Sequence, residues 1–261
     1  MNKIILFRHI VKTAGSTFKF VLANSFGLSF CNSMMVKTSA FDSRYLNLAK
    51  RLFPRLRAIG GHNVTLDAAF RTDRFFRVTF LREPVSRTIS EYQHAIGRTT
   101  DVPKAVDSFP QWLNNTSTPN QQTRKVARRE DLDEAKYRLE NIYDFVGLTE
   151  QFDASLRILS RMAPHQLDID YARKQTSEQV TVGEEIRKTR KHVEAIRAAN
   201  ELDRALYDYA REHLFEKYKV RFLRRDTPYP RRIHTKYTPN SLLSMWYNKL
   251  VFRMLFRNYA P

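Results

Sequence analysis

The sequence predicts an α/β fold with a mostly parallel central sheet and a helical C-terminal half. Short runs rich in β-branched and aromatic residues fall early in the chain, and helical periodicity follows them. From Asp131 onward helical spacing dominates. Strands that alternate with helices pair in parallel through helical crossovers. A length of 261 residues suits one large domain, or one domain with an appendage.

Residues 3–9 read as a buried strand. A loop over 11–15 follows, and Ser16-Thr17 gives an N-cap signal for an apolar-periodic helix that runs through Phe26. Residues 57–61 are a second short strand candidate, ending in His62. The best strand, 75–81, runs straight into Arg82-Glu83-Pro84. Pro84 suits a first helical turn, and 85–96 carry a helical pattern. Residues 101–120 are polar, contain Pro103, Pro110 and Pro119, and read as a surface excursion. Ile186, Val193, Ile196, Leu202, Leu206, Tyr209 and Leu214 give helical spacing across 184–218.

The expected division is an α/β domain over 1–225 and a basic C-terminal extension over 226–261. Residues 221–261 hold nine Lys or Arg against a single acid, Asp226. Within them, 242–256 are apolar nearly all round a helical wheel, interrupted by Lys249 and Arg253. That segment is expected to pack on the core or to form a peripheral membrane contact through 240–256.

A hydrophobic fraction of 42% is enough for a full core and excludes wholesale disorder. A net charge of +18 attracts polyanions of any kind, whether nucleic acid, anionic lipid, acidic polysaccharide or nucleotide. One cysteine, Cys31, excludes an intrachain disulfide framework and fits a reducing compartment. No apolar run reaches the ~18 residues a membrane span needs. A cytoplasmic address is expected, membrane-peripheral if the tail docks.

Two segments carry the chemistry. Lys12-Thr13-Ala14-Gly15-Ser16-Thr17 lies between a strand and a helix. A phosphate there meets the free N–H groups of the first helical turn and the positive end of the helix dipole, and Lys12 adds a mobile charge. The logic is that of a P-loop, but the lysine precedes the glycine, so G-x-x-x-x-G-K-[ST] is absent. The second segment is Leu81 to Tyr92. Arg82 stands at the carboxyl end of a strand, where ligands of open α/β sheets bind, and Ser90 lies two turns into the following helix. Both suit one phosphate, the arginine through its fork and the serine through its hydroxyl.

Together these segments resemble the PAPS-dependent carbohydrate sulfotransferases, the group that contains the heparan and chondroitin sulfate sulfotransferases and smaller bacterial relatives. Lys12 to Thr17 match that family's loop for the 5′-phosphosulfate, and Leu81 to Tyr92 match its L-R-[DE]-P-x-x-R-x-x-S-x-[YF] segment for the 3′-phosphate. Asn120-Gln121-Gln122-Thr123-Arg124, Phe145 to Phe152, and Asn200 to Tyr207 resemble three further family stretches, in order along the chain. Val11 stands where the family usually has proline, and Ala14 where it often has glycine.

The resemblance implies a P-loop-NTPase-like three-layer sandwich, PAPS as sulfuryl donor with PAP as product, and no metal. It implies that Lys12, Thr13, Ala14, Gly15, Ser16, Thr17, Arg82 and Ser90 hold the donor, and that Lys12 stabilises the leaving phosphate. Catalysis is then mainly positioning plus stabilisation of charge. The acceptor hydroxyl needs a base, and histidine suits neutral pH. His62, in Gly60-Gly61-His62-Asn63 at the end of the second strand candidate, is the expected base, and the family's comparable G-H segment agrees. His94, one turn past Ser90, is the runner-up. His9 is expected to be buried and structural. Gln122 and Arg124 are expected to line the acceptor or nucleotide side, and the acceptor is expected to be an anionic glycan.

Two other classes compete. A basic nucleic-acid-binding protein would explain the charge but leaves the ordered motifs unused. The sequence has no zinc spacing, RNP-like motif or clear helix-turn-helix, so no specific nucleic-acid partner is expected. A P-loop-type nucleotide kinase would need a glycine before the lysine and a Walker-like acid after a later strand, and neither is evident.

Overall fold

A computed structural model describes residues 3–33, 41–66, 70, 72–97, 99–172, 180–226, 228–233 and 237–255. Strands β1 (Ile4–Arg8), β2 (Phe30–Asn32), β3 (Ala58–Gly61), β4 (Phe75–Leu81) and β5 (Phe145–Leu148) form one sheet in the order β2-β3-β1-β4-β5. Every pairing is parallel. The expected α/β class is thus the one the chain adopts, as a sandwich of helices about a parallel sheet. β4 is buried along its whole length, as a strand covered on both faces must be.

The register sets the position of the site. Arg8 of β1 lies opposite Gly61 of β3 and Thr79 of β4, and Leu81 lies opposite Leu148 of β5. The loops that leave β1, β3, β4 and β5 therefore emerge at one edge of the sheet. β1 sits between β3 and β4, where the strand order turns back on itself, and such a switch point opens a crevice at the carboxyl edge.

Helices fill the intervals: α1 (Gly15–Phe26), α2 (Ser43–Leu52), α3 (Pro84–Ala95), α4 (Val102–Asn115), α5 (Gln121–Ala127), α6 (Leu132–Asn141) and α7 (Phe152–Met162). They are followed by α8 (Val180–Lys188), α9 (Arg190–Ala199), α10 (Glu201–Tyr209), α11 (Glu216–Phe222) and α12 (Pro239–Leu255). A π-helical turn, Ala210–Phe215, joins α10 to α11. The periodic stretch over 184–218 is thus several helices rather than one.

Residues 101–120 correct the sequence reading. Most of them form α4, which starts on an Asp101 side-chain cap with Pro103 in its first turn, where a missing N–H costs nothing. Its Ala105, Phe109 and Leu113 pack with Tyr92 of α3 and with Val182, Ile186 and Ile196 in a second, smaller core. Tyr92 also hydrogen-bonds to the Ala105 carbonyl.

Beyond residue 225 the chain returns to the sheet. α12 lies against α1 and seals the edge strand β2. The Asn248 amide accepts from the Asn32 N–H at 2.8 Å and donates to the Phe30 carbonyl at 2.9 Å, supplying the pairs a further strand would have made. The Tyr247 ring meets Phe53 edge-on at 5.4 Å, and its hydroxyl donates to the Leu52 carbonyl. Among the described residues, no helix is long and apolar enough to cross a membrane.

Candidate functional site

The loop after β1 is built around two left-handed residues, Lys12 with φ 65° and Ala14 with φ 60°. Side chains rarely adopt that conformation, and it persists where surrounding contacts enforce it. The Thr13 hydroxyl donates to the Ile10 carbonyl at 3.0 Å, and the Arg82 guanidinium donates to the Lys12 carbonyl at 3.1 Å. α1 then begins at Gly15, not at Ser16-Thr17 as the sequence signal suggested, and its N-cap residue Ala14 has no side chain to cap it. A helix N-terminus without a side-chain cap suits an anionic ligand. Gly15 is required: a methyl group there would overlap the His9 ring.

Arg82 is clamped from several directions. The Gln122 side chain accepts from the Arg82 N–H at 2.9 Å and donates to its carbonyl at 2.8 Å. Gln122 is itself held because Asp203, fully buried, accepts from the N–H groups of Gln122 and Thr123 at 3.0 and 2.7 Å. In return Asn120 accepts from the N–H groups of Leu202 and Asp203, so α5 and α10 cap each other across some eighty residues of chain. Glu150, after β5, accepts from the Glu83 N–H and from the Tyr207 hydroxyl, and stands 3.9 Å from Arg82 Nε. Glu83 caps α3 through the Val85 and Ser86 N–H groups. Arg87, fully buried, is occupied by Glu91 and Gln121. Arg82 Nε remains a buried donor without a hydrogen-bond partner among the described residues.

His62 and His9 form a stack with ring centroids 3.8 Å apart and planes 25° from parallel. His62 Nδ1 lies 3.0 Å from the His9 carbonyl oxygen. A carbonyl only accepts, so Nδ1 carries the proton and Nε2 presents its lone pair. Burial, then Lys19 and Lys125, hold the His62 pKa below its ordinary value despite the raising effect of that hydrogen bond. His9 is buried, its pKa pushed down to about 2 chiefly by burial and then by His62, Lys19 and Lys12. Arg8 ties the two elements beside the pair, donating to the Lys125 carbonyl at 3.0 Å and to the Val64 carbonyl. The Lys12 ammonium is lowered in pKa, first by burial and then by Arg82, while Glu91 raises it.

These groups surround one cavity of about 880 Å3 at the carboxyl edge of the sheet. Lys12, Ala14, Gly15, Ser16 and Thr17 line one side, and Arg82, Ser90 and His94 line another. His62 and His9 line it as well, so the buried histidine is also a wall of the cleft. Thr13 faces inward to Ile10 and does not line the cavity. Gln122 is buried behind Arg82. Arg124 turns outward to Glu130 and to the Pro119 carbonyl. The sequence expectation that Gln122 and Arg124 form cavity wall is therefore not the geometry seen.

Several wall residues had no signal of their own in the sequence. Lys19 stands about one turn into α1, where a cation seven residues past Lys12 was the available clue. Gln151, Asp153 and Tyr171 contribute from the β5 side, and Arg232 arrives from the C-terminal extension, paired with Tyr171 in an isolated parallel bridge. Arg187 of α8 donates to the Ser86 hydroxyl at 2.9 Å and depresses the Arg82 pKa, after burial. Among the described residues, no group of three or more His, Cys, Asp or Glu side chains is arranged to hold a metal ion.

A parallel sheet with a helix N-terminus lacking a side-chain cap after β1 and a clamped arginine after β4 gives an α/β protein whose cleft suits an anionic ligand. The chain matches the model of the Sulfotransferase family over residues 2–223, and it belongs to that family. Among curated proteins, none matches it. Family membership takes the place of the nucleic-acid-binding and nucleotide-kinase alternatives.

Proposed function

We propose that this cleft moves a sulfuryl group from PAPS to a hydroxyl of an anionic glycan and releases PAP. What supports it above all is the convergence on a single cavity of Lys12, the uncapped start of α1, Arg82 with Ser90, and His62. The donor set fits a nucleotide with phosphates at both ends. The loop N–H groups and Lys12 suit the 5′ end, and Arg82, whose Nε has no hydrogen-bond partner among the described residues and only a 3.9 Å ion pair with Glu150, suits the 3′-phosphate together with Ser90. Arg187 strengthens the positive field on that side.

PAPS supplies the sulfuryl group and a phosphate leaving group. The rest is the work of this chain. His62 takes the acceptor's proton at Nε2, with Nδ1–H fixed by the His9 carbonyl. Lys12 keeps its proton at Nζ, where it stabilises charge developing on the leaving phosphate. The clamps on Arg82 hold the donor in one orientation. Lys19 and Lys125 place positive charge beside His62, which favours an anionic acceptor. The lone, fully buried Cys31 thiol fits a cytoplasmic address.

Calorimetric titration with adenosine 3′,5′-bisphosphate, AMP and Mg-ATP tests the donor half. Binding is expected to require the 3′-phosphate and to fail in Arg82→Ala, and equal binding of AMP or a preference for Mg-ATP would overturn it. For the acceptor half, label is expected to pass from PAPS to a desulfated anionic polysaccharide. PAP binding without transfer to any of a panel of such polymers would sink the glycan assignment alone.

A further inference from the structure

We propose that the outer face of α12 is a docking surface for an anionic lipid bilayer, to which the protein attaches peripherally. The helix has two unlike sides. Ser241, Ser244 and Val251 are buried against the domain, with Tyr247 and Asn248 making the contacts to Phe53 and β2 described above. On the other side Leu242, Leu243, Met245, Trp246, Leu250 and Met254 are 36% to 63% exposed. Positions 242, 246, 250 and 254 follow one another at i, i+4, so this is a continuous stripe along the helix rather than scattered side chains. Soluble monomers seldom present a contiguous apolar patch of that kind without a use for it.

Charge identifies the occupant. Lys249 and Arg253 are exposed along the same helix, and its 17 residues contain no acid. Lys50, Arg51 and Arg55 are exposed on the segment around Leu52 and Phe53, which receives Tyr247. Apolar side chains with a tryptophan, flanked by cations on long aliphatic stems, suit the boundary between acyl chains and anionic headgroups. At 17 residues, α12 lies on such a surface and does not cross it. A second copy of the chain fits poorly: a two-fold pairing would set Lys249 and Arg253 against their own mates, on molecules that each carry +18.

Attachment there would orient the cleft. α12 begins beside Asn24 at the end of α1 remote from the site, where the Asn240 amide donates to the Asn24 carbonyl at 3.1 Å. It reaches Asn32, the carboxyl end of β2, at Asn248. Its last turns therefore run toward the sheet edge at which the cleft opens, so that edge would be held next to the lipid surface.

Co-sedimentation of the full chain with phosphatidylcholine vesicles, with and without about a third phosphatidylglycerol, tests this. Wild type is expected to sediment with the anionic vesicles only, and its tryptophan emission is expected to shift to the blue. Lys249→Glu/Arg253→Glu is expected to weaken partitioning by roughly fivefold per cation. Leu242→Ser/Trp246→Ser keeps every charge and touches only exposed side chains. It is expected to lose both vesicle binding and the emission shift while binding PAP as wild type does. Undiminished sedimentation of that variant would mean that diffuse charge alone binds lipid, and would overturn the proposal. So would wild type that ignores the vesicles, whether it is a dimer which the same variant dissolves into monomers or is retained by an acidic protein instead.

Discussion

A carbonyl oxygen cannot donate, and that decides which nitrogen of His62 bears a proton. His62→Ala is expected to reduce turnover by 10^2-fold or more, on the scale of general-base catalysis, while PAP affinity stays within about twofold in calorimetry, since the proposed role puts His62 on the acceptor side. Because the His62 pKa is lowered and the proposed base acts as the neutral ring, activity is expected to fall only as pH drops through a value below the ordinary 6.5. A pH–rate profile with its acid limb above that value would contradict this. His9 carries a stability prediction of its own. Its folded pKa lies near 2 against 6.5 in the unfolded chain, so the unfolded state binds the extra proton. The stability it contributes is present above 6.5 and is lost progressively as pH falls toward 2. Between pH 6.5 and 5 the loss attributable to His9 approaches about 2 kcal/mol. Urea unfolding of His9→Phe is expected to show a shallower decline over that interval than wild type.

At the scale of elements, the motifs divide into groups that face the cavity and groups that hold those groups in place. The reciprocal caps of α5 and α10 belong to the second kind, and they reach the site only through Gln122. Asp203→Ala leaves two buried N–H groups without an acceptor and is expected to lower the unfolding free energy by about 3 kcal/mol, seen as a reduced denaturant midpoint at unchanged m. Gln122→Leu is expected to weaken PAP binding by roughly tenfold, the scale of one lost hydrogen bond on each side of the Arg82 peptide. Arg124→Ala, two residues on, is expected to change it by less than about twofold, as for an exposed ion pair outside the cavity. Equal effects of the two would contradict the division.

The same distinction explains what was legible. The seven-residue run of β4 and the strand-loop-helix around Lys12 are local patterns, and they could be read directly. Residues 102–115 were obscured by their prolines, although Ala105, Phe109 and Leu113 already stood at i, i+4, i+8. Three-residue β2 is too short for any periodicity. The nearness of Lys125 to His62 and the turning away of Arg124 depend on how α5 sits against Arg8, which no spacing along the chain encodes.

For the whole molecule, the question is why a chain with a net charge of +18 tolerates a site that gathers still more cations. Burial disfavours the charges of both Lys12 and Arg82; at Lys12 the nearby Arg82 adds to this more than Glu91 offsets it, whereas at Arg82 the carboxylates of Glu150 and Glu83 outweigh Arg187 and Arg87 without undoing the effect of burial. An anion spanning both ends of the cleft compensates both desolvated cations, so donor-side ligands should act as stabilisers of the fold. At a PAP concentration a hundred times its dissociation constant, mass action alone gives about 2.7 kcal/mol. For a chain of this size that is a rise in Tm of roughly 5–10 °C. The shift is expected in thermal unfolding of wild type, to vanish in Arg82→Ala at the same PAP concentration, and to survive in Leu242→Ser/Trp246→Ser, whose changes lie far from the loop. Inorganic sulfate at equal concentration is expected to give less than half the shift, since it meets one end of the cleft and not both. If sulfate matched PAP, the cations of the two ends would be acting as a general anion patch, and the two-ended donor site would have to be abandoned. Raising the ionic strength separates the contributions further, because screening weakens the diffuse attraction of +18 long before it dissolves contacts made inside the cleft.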